Sequence, residues 1–215
     1  MDAMAPFSIE SSPDRATHIA IVVHSLSRGG AQRRLVTLAN AFAEAGREVD
    51  FVALRRGGDV DELLDARVRL SILTDASKRA WKPWFLEGWR KLTGWIARNR
   101  PGVVVAGSTA VHFTAVVACK RSRNRPSLVL RASRHPVRHF PRSRPHKRMG
   151  EPIQRWARRR LYDAADLVLA VSRETAQSLR SGMARPERCV EVANPVLTPA
   201  FLDSLGSAPP HPWLA

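Results

Sequence analysis

HIAIVVHSLSRGGAQRRLVTLANAFAEAG, residues 18–46, decides the fold. Its opening HIAIVVH is a continuous apolar run rich in β-branched side chains, the mark of a strand buried on both faces. SLSRGG breaks that pattern. AQRRLVTLANAFAEAG then predicts a helix with Leu35, Leu38, Ala39 and Phe42 on one face and Gly46 as its stop. A buried strand, a glycine turn and an amphipathic helix together form the first unit of a parallel α/β sheet.

The same alternation continues outward. EVDFVAL (48–54) reads as a second strand and VRLSIL (68–73) as a third, after a short helical segment around 61–65. A helix over 82–98 ends ahead of Pro101, because proline disfavours helix at the residue before it. VVVA (103–106), SLVLRA (127–132), LVLAV (167–171) and CVEVA (189–193) supply four more strands. Helices are expected over 110–120 and 152–162. Another starts at Ser172, a natural N-cap, and stops at Gly182. The expected fold is α/β, a single doubly wound parallel sheet. Such sheets bind ligands beyond the carboxyl ends of their strands. The loops to watch are Ser25–Gly30, Gly107–Thr109, Ser133–Gly150, Ser172 and Asn194-Pro195. The expected organisation is a disordered tail over 1–17, one domain over 18–200 and a linker-like end over 201–215.

Composition narrows the function. With 215 residues and 44% hydrophobic content, the chain can bury a real core. Cys119 and Cys189 are too few for a disulfide framework or a zinc site, and their apolar neighbours suit buried thiols in a reducing compartment. Residues 1–17 carry three acids and no apolar core, and no run reaches the roughly 20 apolar residues that span a bilayer. These features point to the cytosol or to the cytosolic face of a membrane. The net charge of +16 is concentrated: residues 119–160 hold fifteen Lys or Arg and one acid, Glu151. That implies a polyanionic partner, since a face needing only solubility would mix both signs. Tryptophans 81, 84, 89 and 95 beside Lys82, Arg90 and Lys91 suit either core packing or an anionic membrane surface. Nucleic acid uses the same charges, but no helix-turn-helix, RRM or zinc-finger signature is present.

Gly29-Gly30 is the first place to look for chemistry. Residues without Cβ let a ligand approach the backbone, and free amides at a helix start favour an anion such as a diphosphate. A ligand-free tight turn is the plain alternative. There is no GxxxxGK[ST], so a P-loop is excluded. There is no GxGxxG, and the second strand ends in Leu54-Arg55-Arg56 without the acid that holds an NAD ribose. Arg55 leaves an NADP-type nucleotide open.

Residues 19–54 resemble the opening of glycosyltransferase family 4, whose first loop typically reads G-G-A-E. Here Gly29, Gly30, Ala31 and Gln32 stand in those places. YDAADLVLAVSRETAQSLRSGMARPERCVEVANPV (162–196) is similar to a second stretch of that family, with Asp166, Ser172, Gly182, Pro186, Glu187, Asn194 and Pro195 in register. The resemblance implies the amino-terminal, acceptor-side, Rossmann-like half of a two-domain GT-B enzyme, with Gly29 and Gly30 at the donor diphosphate. It implies a retaining transfer from a nucleotide-sugar to a saccharide or lipid-linked acceptor, without a metal or other cofactor. It makes His135 the candidate catalytic residue, and Arg131, Arg134, Ser172 and Asn194 candidate acceptor or phosphate contacts. His24 and His112 are expected to be structural. The carboxyl-terminal domain, with its pair of glutamates, is absent from the sequence, so the chain alone is expected to be inactive.

Overall fold

A computed structural model describes residues 18–27, 29–74, 84–133 and 159–193 of the chain. Seven strands form one parallel sheet: β1 (His18–Val23), β2 (Glu48–Ala53), β3 (Arg69–Ile72), β4 (Val103–Ala106), β5 (Ser127–Ala132), β6 (Leu167–Ala170) and β7 (Cys189–Glu191). Their order is β3-β2-β1-β4-β5-β6-β7. The chain thus winds outward from β1 in one direction, returns to β4 and winds outward in the other. The reversal leaves a crevice between the carboxyl ends of β1 and β4.

Among the described residues the helices are α1 (Gly30–Glu44), α2 (Trp84–Asn99), α3 (Thr109–Arg121), α4, described over 159–163, and α5 (Arg173–Arg180). They separate into two layers because strand side chains alternate between faces. Ile21, Phe51, Val105 and Val129 pack with α1 on one face. Ala20, Val52, Val104 and Leu130 pack with α2, α3 and α5 on the other. Every residue of β1 is buried, as its apolar run requires.

Local signals hold with small shifts. Gly46 adopts φ +75° just past α1. Its amide donates to Ala43 O and that of Arg47 to Phe42 O, both at 3.0 Å, which satisfies the helix's last carbonyls. The innermost face of α1 is Leu35, Val36, Ala39 and Ala43. Leu38 and Phe42 flank it partly buried, so the helix is rotated from the expected stripe. The helical segment around 61–65 is a 3-10 turn over Val60–Leu63, held from α1 by Asn40, whose side chain bonds Leu63 O and the Asp65 amide. Gly182 follows α5 as expected, one residue past the Ser181 cap, but it is not left-handed as Gly46 is. A tight turn from the Gly182 amide to Leu179 O, 2.9 Å, closes it without a left-handed residue. Cys119 and Cys189 are both buried free thiols. The expected tail over 1–17 and linker over 201–215 lie outside the described residues.

Several residues carrying the family resemblance prove to be fold residues. Asp166 accepts from the Leu128 amide at 2.7 Å and its own amide donates to Leu128 O, clamping β5 to the start of β6. Pro186 and Glu187 open a 3-10 turn into β7.

Candidate active site at the switch-point crevice

The amino end of α1 faces the crevice. Gly29 is its N-cap and offers no side chain to accept from the first turn, and that turn contains no acid. The amides of an uncapped first turn retain their donor capacity for an anion. The two glycines differ in what they permit. A Cβ on Gly29 would collide with the Gln32 carboxamide oxygen, which folds back over it. A Cβ on Gly30 would meet nothing within 4 Å. The fold therefore requires no glycine at 30, where an alanine would be accommodated. A bare backbone facing open space is what close approach of a ligand needs.

The opposite wall comes from β4 and β5. Arg131 is 6% exposed. Its Nη1 donates to Gly107 O at 3.3 Å. Gly107 itself donates to Val22 O at 2.9 Å, crossing the switch point. It is packed so closely on Leu35 of α1 that a Cβ there would overlap the leucine side chain. Arg131 shares strand parity with Val129, so it projects toward the α1 layer. Burial and the charge of Arg34 on α1 both press its guanidinium below the usual arginine pKa. Arg34 was not singled out from the sequence. An arginine just beyond an acid-free first turn was its only local signal.

His112, at the start of α3, is fully buried and its Nε2 donates to Arg131 O at 3.2 Å. Its ring meets Tyr162 edge-on, with centroids 5.7 Å apart. Desolvation lowers its pKa to about 4, with the Arg131 and Ala106 backbones opposing, so the ring is neutral at pH 7. It supports the wall from behind, as expected of a structural histidine. His24, at the end of β1, is held below the ordinary histidine range by partial burial and then by Arg55.

Ser172 sits at the carboxyl end of β6 and is the N-cap of α5: its Oγ accepts from the Thr175 amide at 3.3 Å and pairs with Thr175 Oγ1 at 3.0 Å. The loop after β2 closes the rim. Gly58, at φ +89°, presses against the Leu26 backbone with no room for a Cβ. The structure thus brings Gly29, Gly30 and Arg131 to the switch point and Ser172 to the same edge of the sheet. His135, Arg134 and Asn194 lie outside the described residues.

The family model described as Glycosyltransferase Family 4 matches residues 28–198. The chain belongs to glycosyltransferase family 4. No curated protein sequence matches it. Solved structures share the fold at low identity. Anabaena Alr3699/HepE in complex with UDP and glucose is 16% identical, with a TM-score of 0.61, over 89% of this chain and 50% of that one. The lipopolysaccharide outer core galactosyltransferase WaaB is 16% identical, with a TM-score of 0.57, over 83% of this chain and 46% of its own. UDP-N-acetylglucosamine 2-epimerase from Rickettsia bellii is 14% identical, with a TM-score of 0.56, over 88% and 47%. The family 4 chain thus spans about half the length of these proteins. The fold is common to transferases and an epimerase, and the family match separates them.

Proposed function

We propose that the chain forms the amino-terminal, acceptor-side half of a glycosyltransferase that moves a sugar from a nucleotide-sugar to a lipid-linked or cell-envelope saccharide. The observation that carries this reading is the bare amino end of α1 at Gly30, set across the switch point from Arg131 in a family 4 chain. Alr3699/HepE, which was solved with UDP and glucose, supports the nucleotide-sugar.

In this reading the α1 amides and the Arg131–Arg34 wall receive the diphosphate, and charge building on the leaving phosphate is met by fixed dipoles and cations. The sugar C1–O bond to the diphosphate breaks and the acceptor oxygen bonds C1 on the same face. The acceptor proton passes to the leaving phosphate, with His135 and Arg134 orienting the acceptor. Ser172 and Asn194 border it. No metal is required, because protein donors meet the phosphate charge. A second Rossmann-like domain completes the donor pocket, and residues 18–200 alone transfer nothing measurable.

The basic segment 119–160 docks the enzyme on the cytosolic face of an anionic membrane, where lipid-linked acceptors reside. Lys120, Arg121, Arg123 and Arg125, at and just beyond the end of α3, are all exposed. Among the described residues no helix is long and apolar enough to cross a membrane.

Calorimetric titration with UDP-glucose, a GDP-sugar and NADPH tests the reading. A nucleotide-sugar should bind, and Gly30→Val should weaken it at least ten-fold with an unchanged melting temperature. Tight NADPH binding with no response to either nucleotide-sugar would overturn it.

A further inference from the structure

A groove of about 560 Å³ lies at the edge of the sheet, between β3 and α2. It shares no residue with the crevice, which is two strands away at β1 and β4. Ser71, Arg90, Lys91, Gly94, Trp95 and Arg98 supply its polar and aromatic walls, and among the described residues no carboxylate lines it.

Every polar side chain that the described residues offer to this groove can donate. Trp95 Nε1–H is spent on Ser71 Oγ at 3.2 Å, which leaves the Ser71 hydroxyl hydrogen to give. Lys91 is held at one side by Glu87, 2.7 Å, and by Thr74 Oγ1, 3.3 Å. Arg90 and Arg98 are exposed, and among the described residues neither has an acidic partner.

The spacing on α2 concentrates these charges. Arg90, Gly94 and Arg98 recur every four residues on one helix face, in steps of about 6 Å. The Arg98 guanidinium folds back over Gly94, with Nη1 3.6 Å from where a Cβ would stand. It is thereby drawn one turn nearer Arg90. Glycine inside a helix costs about 1 kcal/mol relative to alanine. Packing does not demand it here, since a Cβ at 94 would make only an ordinary contact. Its effect is to leave the floor bare between two guanidiniums. Arginine pairs with phosphate oxygens through two parallel N–H bonds, and two such forks beside a hydroxyl donor match a group with several oxygens and more than one charge.

We propose that the β3–α2 groove binds the phosphate group of a phosphate-bearing ligand, through Arg90, Arg98 and the Ser71 hydroxyl. This site is independent of the transferase reading. Its failure would leave nucleotide-sugar binding at the crevice untouched, and the reverse also holds.

The test follows the assigned Trp95 indole N–H resonance of the full chain at fixed ionic strength. One arm adds sodium pyrophosphate. The other adds small bilayer discs of phosphatidylglycerol or of phosphatidylcholine. A saturable shift is expected, at least ten-fold weaker in Arg90→Gln/Arg98→Gln, whose exposed positions leave the fold intact. Gly94→Ala should raise the melting temperature while weakening the shift. A response to pyrophosphate supports the site with a soluble phosphate ester as its source. A response only to phosphatidylglycerol supports it with a lipid headgroup. The proposal is overturned if neither probe moves the resonance, if phosphatidylcholine acts equally, or if the double variant responds like the wild type.

Discussion

Acidification should unfold this protein through His112, and the size of the effect follows from its burial. The ring is fully enclosed behind the crevice wall, with its Nε2 on Arg131 O. Its pKa falls from an ordinary 6.5 to about 4, with desolvation the largest cause. A folded-state pKa below the unfolded one means that the unfolded chain binds more protons between those values. Stability is therefore full above pH 6.5 and is lost as pH falls toward 4. Integrated over that window, the loss approaches about 3 kcal/mol, of which about 2 kcal/mol has gone by pH 5. At pH 5 Asp50, whose carboxyl lies below its ordinary range, is ionised in both states and does not contribute. Urea titrations of the wild type and of His112→Gln at pH 7.5 and pH 5 measure the difference. Glutamine keeps a donor for Arg131 O but has no proton to gain, so its loss between the two pH values should be smaller by about 2 kcal/mol. His24 has the same sign of shift and adds a slope common to both proteins. Equal slopes in wild type and variant would refute the reasoning.

Three substitutions probe other elements. Arg131→Met should lower the melting temperature modestly, because its hydrogen bond to Gly107 O is lost while a buried cation is removed. It should weaken nucleotide-sugar binding at least ten-fold by calorimetry. Gly58→Ala should destabilise the chain by about 2 kcal/mol or more in urea, since the position needs φ +89° and the Leu26 backbone occupies the space of a Cβ. Thr114→Val should raise the melting temperature: the Thr114 hydroxyl is buried with no hydrogen-bond partner among the described residues, and a methyl of the same shape removes that cost, about 1 kcal/mol.

The strands and the glycine turn were legible because their signals are local. Ile19–Val23 is apolar throughout, so no partner needs to be known to place β1 in the interior. Ser172 announces its cap within three residues, and the Thr175 amide is where the signal puts it. What stayed hidden depends on register. His18 carries no sequence argument, yet its Nε2 lies 2.5 Å from Asp50, 32 residues away, and Asp50 is also gripped by Arg69 at 2.8 Å. That cluster exists only because Ala20 pairs with Asp50 and Asp50 with Arg69 across three parallel strands. The Arg34–Arg131 neighbourhood is hidden for the same reason, since it needs β4 and its Gly107 to bring β5 beside α1. The shift of the α1 stripe to Val36 and Ala43 likewise reflects which strands the helix rests on, which its own periodicity does not encode.

The two ends of the sheet treat charge in opposite ways, and this contrast favours the crevice as the functional edge. At the amino ends of β1, β2 and β3 the signs alternate. Arg69 binds Asp50 and also Glu48, at 2.5 Å, while His18 closes on the same Asp50. Those groups neutralise one another, as folding alone favours. At the carboxyl ends a buried arginine is instead set near a second arginine, beside a helix start with no acid and no side-chain cap. A glycine that packing does not require stands at that helix start. Arg34 adds like-charge repulsion to Arg131, whose guanidinium is held by Gly107 O. Unfavourable choices scattered at random would suggest tolerance. Gathered at the switch point of a doubly wound sheet, they are the features that the proposed diphosphate site calls for.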